Sequence, residues 1–129
     1  MAFTVAQIDH VEVFVRDLEK AAKWYVETLG LHEIQRWQPE PIMIGAGSTK
    51  LALFKARGDV PKTPGVRQAQ PAFRWHRVAW KTDKEGFEQA QAHLNELGIK
   101  FGGPVDHQVA WSIYFDDPDG NPLEITYYL

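Results

Sequence analysis

The sequence contains no cysteine, and this absence excludes disulfide bonds, thiolate metal ligands and a cysteine nucleophile. It also lacks any apolar run close to the length of about 20 residues that a membrane-spanning helix needs. Lys and Arg number 14 against 17 Asp and Glu, and they form no basic run. We therefore expect a cytoplasmic protein that binds neither nucleic acid nor a membrane.

The composition is that of one ordinary folded domain. The chain has 129 residues, of which 44% are hydrophobic and 24% are charged. It contains five Trp, four Tyr and seven Phe. This aromatic content suits a pocket for a small organic molecule, and a large core would have the same composition.

The chain contains an internal repeat. Residues 8–17 alternate apolar with polar side chains, as a half-buried strand does, and residues 75–83 show a similar pattern. In each segment an Asp follows a histidine, His10 or His76, by seven residues. Each Asp then precedes a stretch with helical periodicity, so both repeats predict a strand followed by a helix.

The two predicted helices span residues 17–29 and about 82–97. Each has an apolar stripe at helical spacing and ends at a Leu-Gly pair, where a glycine commonly caps a helix. Thr82 and Glu85 have the spacing of a capping box. We therefore expect the second helix to begin at Thr82 or at the residue after it.

Strand-like runs complete each half of the chain. They lie at about 33–37, 41–44, 50–54, 99–105, 109–116 and 122–128. The sequence therefore predicts an α+β fold of two βαβββ modules, at about 6–56 and 73–129, within one domain of residues 1–129. A segment rich in Pro and Gly, at about 57–72, is the predicted linker.

Strand alternation places polar side chains opposite the helix-packing face. Glu124 lies on this face in the last strand. His10 lies on it in the first strand of the first module, and His76 lies on it in the first strand of the second module. We expect Val78 and Trp80 to share the face of His76. The position of Glu124 corresponds to Ala52 in the first module, counted along the repeat.

Aligning the repeats on their His-to-Asp spacing makes His10 and His76 equivalent. If the modules are related by a pseudo-twofold axis, both imidazoles meet Glu124 in one cavity. A carboxylate in so apolar a strand is costly to bury unless it is paired or metal-bound. Two imidazoles and one carboxylate, with open positions, suit Fe(II) or Mn(II), and Zn(II) also accepts them.

These residues resemble the vicinal oxygen chelate superfamily over nearly the whole chain. That superfamily includes glyoxalase I, extradiol dioxygenases, fosfomycin-resistance enzymes and bleomycin-binding proteins. The resemblance implies a cup-shaped curved mixed sheet with helices outside, around a divalent metal held by His10, His76 and Glu124. A stretch at 105–124 is similar to the extradiol signature. It contains Val-Asp-His, Ile-Tyr, Asp-Pro-Asp-Gly and the final Glu.

The extradiol resemblance implies roles for residues in that stretch. His107 would be an acid/base group, and Tyr114 would donate a hydrogen bond to the substrate. We also expect substrate contacts from the side chains of Glu12, Phe54 and Ser112. Small members of the superfamily commonly form homodimers, so a homodimer is expected here.

The sequence also departs from each enzyme class. Ala52 stands where glyoxalase I has a fourth ligand, a further active-site His of extradiol enzymes has no match, and no basic residue follows Glu124. Three hypotheses follow. They are ring cleavage by an extradiol-like enzyme, a lyase, isomerase or thiol transferase reaction that needs no oxygen, and ligand binding without catalysis.

Overall fold

A computed structural model describes residues 3–60 and 72–129. The chain divides after residue 60 into two compact units, each with its own sheet and helix. Residues 61–71 of the predicted linker lie outside the described residues. Neither helix in the described ranges is long and apolar enough to cross a membrane.

Both units have the predicted order βαβββ. The first contains β1 (Val11–Val15), α1 (Leu18–Leu29), β2 (His32–Arg36), β3 (Ile42–Ala46) and β4 (Thr49–Lys55). The second contains β5 (Val78–Lys81), α2 (Lys84–Glu96), β6 (Gly102–Asp106), β7 (Ala110–Asp116) and β8 (Pro122–Tyr128). The predicted α+β class and module pattern are therefore confirmed.

Each unit forms a four-stranded mixed sheet, in the orders β1-β4-β3-β2 and β5-β8-β7-β6. The first strand of each unit pairs in parallel with the last, and the other pairs are antiparallel. A parallel pair needs a long crossover, and part of each crossover is the helix. A cup formed by the two modules together stays a prediction.

Helix α1 begins and ends where the sequence predicts. The Asp17 carboxylate accepts a hydrogen bond from the Lys20 amide at 3.0 Å, which satisfies one of the free N–H groups of the first turn. Gly30 ends the helix in the left-handed conformation, with φ of 70°. Ala21 and Tyr25 are among the residues that α1 buries against the sheet.

Helix α2 begins one residue later than a Thr82 cap requires. Asp83 is the N-cap, and its carboxylate accepts a hydrogen bond from the Gly86 amide at 2.7 Å. The amide of Thr82 donates to the Thr126 carbonyl at 2.9 Å, so Thr82 still belongs to the sheet. The predicted capping box of Thr82 and Glu85 is therefore wrong.

Each sheet has one face packed under its helix. In the first unit the buried residues of this face include Val15, Ile44, Leu51 and Leu53. In the second they include Ile113, Phe115, Leu123 and Ile125. Full burial of such a side chain contributes about 1.5–3 kcal/mol, so these faces account for much of each unit's stability. The opposite faces carry the predicted site residues.

Candidate functional site

Glu124 and Tyr114 lie side by side on the face of the second sheet that α2 does not cover. Strand pairing sets Tyr114 of β7 opposite Glu124 of β8. The neighbouring residues Leu123 and Ile125 are buried on the other face. Alternation along β8 therefore places Glu124 as the sequence predicts.

The Glu124 carboxylate is oriented by a neighbouring hydroxyl. Ser112 donates a hydrogen bond to Glu124 Oε2 at 2.7 Å, and the Ser112 hydroxyl lies 3.0 Å from that of Thr126. Ser112 is only 1% exposed. The structure thus brings the predicted substrate residue Ser112 into contact with Glu124, where it fixes the direction of the carboxylate.

His107 and Tyr114 form a hydrogen-bonded pair. His107 follows β6, and its Nε2 lies 2.6 Å from the Tyr114 hydroxyl. The loop that carries His107 is held by its amide donating to the Ala110 carbonyl at 2.8 Å. It is also held by the Gln108 amide donating to Asp106 at 2.7 Å. A phenol and an imidazole in contact can pass a proton between them.

His76 and Glu124 border the same cavity, together with Arg77 and Tyr114. The cavity has a volume of about 480 Å³. This size lies within the usual range of small-molecule sites. Two of the three predicted metal ligands, His76 and Glu124, are therefore placed together within one unit.

Two arginines flank the His76 ring. Arg77 Nη2 lies 3.0 Å from Nε2, and Arg74 Nη1 lies 3.3 Å from Nδ1. A guanidinium only donates, and a neutral imidazole has one accepting nitrogen. Only one of these two contacts is therefore a hydrogen bond at any moment.

Arg77 is a pocket residue that the sequence analysis missed. Its guanidinium carbon lies 4.5 Å from the centre of the Tyr114 ring, which is the geometry of a cation–π contact. The side chain is half-buried. Arg77 can be identified from the register of the strand pairs. The spacing between the histidine and the helix cap does not reveal that register.

The strand pairs relate the modules residue by residue. In the first unit Glu12 of β1 pairs with Ala52 of β4. In the second, Ala79 of β5 pairs with Glu124 of β8. Ala52 and Glu124 each lie between two buried residues of the last strand of their unit, and taking them as counterparts makes Glu12 and Ala79 counterparts as well. In this pair of parallel strands, the first module has its carboxylate on its first strand, β1. The second module has its carboxylate on its last strand, β8.

The same register corrects the predicted equivalence of His10 and His76. Arg77 precedes Ala79 by two residues, as His10 precedes Glu12, so the counterpart of His10 is Arg77. The second module is one residue shorter between this strand and its helix cap. The spacing from histidine to Asp is seven residues in both modules, so it did not reveal the shorter connection.

The predicted faces of Val78 and Trp80 are also wrong. Val78 pairs with Leu123 and Trp80 pairs with Ile125, so both lie on the face that packs under α2. On that face Tyr127 contacts Phe87 of α2, with ring centres 4.9 Å apart. His76 lies before β5, outside the regular alternation, and can border the other face.

In the first unit His10 lies between two carboxylates. Its Nδ1 is 2.9 Å from Asp9 Oδ2, and its Nε2 is 2.9 Å from Glu12 Oε2. These hydrogen bonds, which the Glu12 carboxylate and then the Asp9 carboxylate accept from the ring, raise the pKa of His10 above its ordinary value. Contacts with His10 and Lys50 in turn lower the pKa of Asp9. A metal ion at His10 would have to displace a proton.

The remaining predicted substrate residue of this unit, Phe54, lies on the same sheet face as Glu12. It pairs with Phe14 across the parallel strands and is half-buried. Phe14 is 57% exposed, and its ring lies 5.7 Å from the Arg57 guanidinium carbon. The sheet face opposite α1 therefore carries these aromatic side chains as well as the charged groups around His10.

The donor set fits a divalent metal in part. Within residues 3–60 and 72–129, no three His, Asp or Glu side chains are grouped as a metal site. In the second unit His76 and Glu124 supply imidazole nitrogen and carboxylate oxygen, which Fe(II), Mn(II) and Zn(II) accept. The charge of Arg77 in the same cavity repels a cation. The third predicted ligand, His10, belongs to the other unit.

The chain is similar to known proteins over most of its length. It is 28% identical over 126 residues to biphenyl-2,3-diol 1,2-dioxygenase 3 of Rhodococcus globerulus, covering 92% of this chain and 62% of that enzyme. It is 29% identical over 111 residues to an ethylmalonyl-CoA/methylmalonyl-CoA epimerase of Cereibacter sphaeroides, covering 81% of each. The chain thus spans less than two thirds of the dioxygenase, and these two relatives are named for different reactions.

A solved structure has the same fold. The crystal structure of a glyoxalase/dioxygenase from Nostoc punctiforme matches with a TM-score of 0.79 and 23% identity, covering 100% of this chain and 99% of that one. Residues 7–125 match the model of the Glyoxalase/Bleomycin resistance protein/Dioxygenase superfamily. The chain therefore belongs to this superfamily, which is also called the vicinal oxygen chelate superfamily.

Proposed function

We propose that the protein is a divalent-metal-dependent enzyme that acts on a small organic molecule, with extradiol-like ring cleavage as its reaction. The observation that carries this proposal is the 2.6 Å hydrogen bond between His107 and Tyr114, because Tyr114 lies directly opposite Glu124 on the adjoining strand. Tyr114 borders the cavity with Glu124, and its contact with His107 provides a path for a proton, as such a reaction needs.

Each residue has a proposed part in this reaction. His10, His76 and Glu124 would hold the metal, which would supply a Lewis acid for two vicinal oxygens of the substrate. Tyr114 donates a hydrogen bond to a substrate oxygen, and His107 moves a proton to or from Tyr114. Ser112 keeps the Glu124 carboxylate in place through its 2.7 Å hydrogen bond.

The similarity to a biphenyl-diol dioxygenase supports ring cleavage of a catechol-like substrate as the reaction. The chain covers 62% of that enzyme, and the epimerase it resembles is named for another chemistry. The reaction is therefore a proposal for this chain, as is the choice of Fe(II) over Mn(II) or Zn(II).

Oxygen uptake tests the proposal. Protein purified anaerobically and loaded with Fe(II) should consume oxygen when simple catechols are added. His10→Ala, His76→Ala and Glu124→Gln should each abolish uptake, whereas His32→Ala, an exposed histidine on β2, should not. No uptake across the catechol panel contradicts ring cleavage. Turnover with Mn(II) or Zn(II) without oxygen would instead identify a lyase, isomerase or transferase.

Ligand binding without catalysis is a second candidate, and the position of Arg77 favours it. A guanidinium at the counterpart of His10 fixes a positive charge in the cavity without a metal. On this candidate the cavity holds an organic molecule and leaves it unchanged. Tight binding of a ligand by chelator-treated protein, with no turnover under any metal, would support it.

A further inference from the structure

The guanidinium of Arg77 is a cation that shares its cavity with the Glu124 carboxylate. Among the described residues, no Asp or Glu oxygen lies within 4.0 Å of it. It contacts the ring of Tyr114 and one nitrogen of His76. A guanidinium has five N–H donors, so these contacts leave most of its donating capacity for a ligand.

The same contacts favour one orientation of the guanidinium. The Tyr114 ring lies 4.5 Å from its central carbon, and His76 Nε2 lies 3.0 Å from Nη2. A planar guanidinium that is fixed in this way binds a carboxylate through two parallel hydrogen bonds. Because these contacts already restrict the side chain, less conformational entropy is lost when an anion binds than for an unrestrained arginine.

Arg77 and Tyr114 also border a second cavity, of about 680 Å³, in the same unit. Lys100 lies on its wall as a second cation, and Ile99 and Phe101 supply apolar surface. Two carboxylates also border it. One of them, Asp117, already accepts hydrogen bonds from the amides of residues 119 and 121. The two cavities thus share Arg77 and Tyr114, and the larger one adds apolar surface beside them.

We infer that Arg77 determines specificity by binding a carboxylate of the ligand, so that the ligand is an organic acid with an apolar or aromatic body. This inference rests on the proposal that the cavity bordered by Glu124 is the ligand site. Arg77 borders the same cavity as Glu124 and Tyr114, the residues proposed to act on the ligand. The contact between Arg77 and the ligand carboxylate would therefore determine which end of the ligand enters the cavity.

Matched acid and amide ligands test the inference. The probes are aromatic and aliphatic carboxylates, including 3,4-dihydroxybenzoate, each paired with its neutral amide of nearly equal shape. Binding is measured by isothermal titration calorimetry in every variant and, in the wild-type protein, also by the Arg77 Nε–H resonance in NMR spectra, on protein as purified and after chelator treatment. We expect acids to bind at least about tenfold more tightly than their amides, which corresponds to about 1.4 kcal/mol.

The variants separate a role in recognition from a role in folding. Arg77→Gln should abolish the preference for acids, and Arg77→Lys should keep part of it because the charge remains. The control is Arg57→Gln, because Arg57 also lies over an aromatic ring but is paired with Glu40 at 2.8 Å. Dispersed amide resonances confirm that each variant is folded.

Equal affinity for acids and amides contradicts the inference, as does an Arg77→Gln variant that keeps the preference. It is also contradicted if no probe perturbs Arg77 at millimolar concentration. The failure of metal binding or of oxygen uptake is a separate result, because acid preference is measured in chelator-treated protein. Acid preference without turnover would therefore retain Arg77 as the specificity residue and reject the proposed reaction.

Discussion

The two halves of the molecule share one topology and invert the charge around their first histidine. His10 lies between the carboxylates of Asp9 and Glu12, whereas His76 lies between the guanidinium groups of Arg74 and Arg77. The backbone repeat therefore does not repeat the chemistry. A fold supplies equivalent positions, and the side chain at each position decides what that position can bind.

The carboxylates of the two sheets are exchanged in the same way. Glu12 of β1 pairs with Ala52, and Ala79 of β5 pairs with Glu124. Each parallel strand pair thus holds one carboxylate and one alanine in register, on opposite strands. The two alanines differ in burial, because Ala52 is buried whereas Ala79 is exposed.

The largest expected effect is on the free energy of unfolding, and it compares substitutions on the two faces of the first sheet. Leu53 is fully buried under α1, and its neighbour Phe54 is half-buried on the other face. Leu53→Ala should lower the free energy of unfolding by about 2–5 kcal/mol, because it leaves a cavity in the core. Phe54→Ala should cost clearly less. Urea denaturation measures both, and equal losses would contradict the assignment of faces.

The next prediction compares Glu124 with Glu12, the carboxylates on opposite strands of the two parallel pairs. Glu124→Gln should lower metal affinity and activity by more than the roughly 10–100-fold that loss of a supporting residue costs, because a proposed ligand is removed. Glu12→Gln, at the partner position of Ala52, should have the smaller effect. Metal titration and oxygen uptake measure the two variants. A larger effect of Glu12→Gln would place the metal with the first half alone.

A third prediction concerns the hydrogen-bonded pair of the second half. Tyr114→Phe removes the hydroxyl that contacts His107 and should lower kcat by about 100-fold or more, as the loss of acid–base catalysis does. His107→Gln should have a similar effect. The double variant should be little worse than either single variant, because the two residues act together. Additive losses would show independent roles.

The smallest effect is the titration of His10. Its pKa is raised, so the imidazolium should persist above pH 6.5 in metal-free protein, and NMR of the ring protons measures the midpoint. The stabilisation from these contacts is fully present below the unfolded pKa and is lost as pH rises through the folded pKa. Glu12→Gln should lower the midpoint, and Glu96→Gln, exposed on α2, should not. An unchanged midpoint in Glu12→Gln would contradict the contact.

Much of the fold could be predicted from local sequence signals. Asp17 and Gly30 mark the ends of α1, and alternation along the last strand assigns Glu124 and Leu123 to opposite faces. These features depend on neighbouring residues alone, so the sequence contains all the information they need.

The site could be predicted only in part, because strand register is a long-range property. The histidine spacing made His76 the counterpart of His10, and the pairing of β5 with β8 gives that position to Arg77. A one-residue difference in a connection changes which residue pairs with which, and nothing local reports it. The homodimer and the metal likewise depend on contacts beyond one strand and stay predictions.

Metal content is the measurement that tests the proposed site most directly. Protein purified without chelator, or reloaded with Fe(II) or Mn(II), should hold about one metal ion per chain by elemental analysis. His10→Ala, His76→Ala and Glu124→Gln should each lose it, and His32→Ala should retain it. Wild-type protein that cannot be loaded, or variants that retain the ion, would contradict the account.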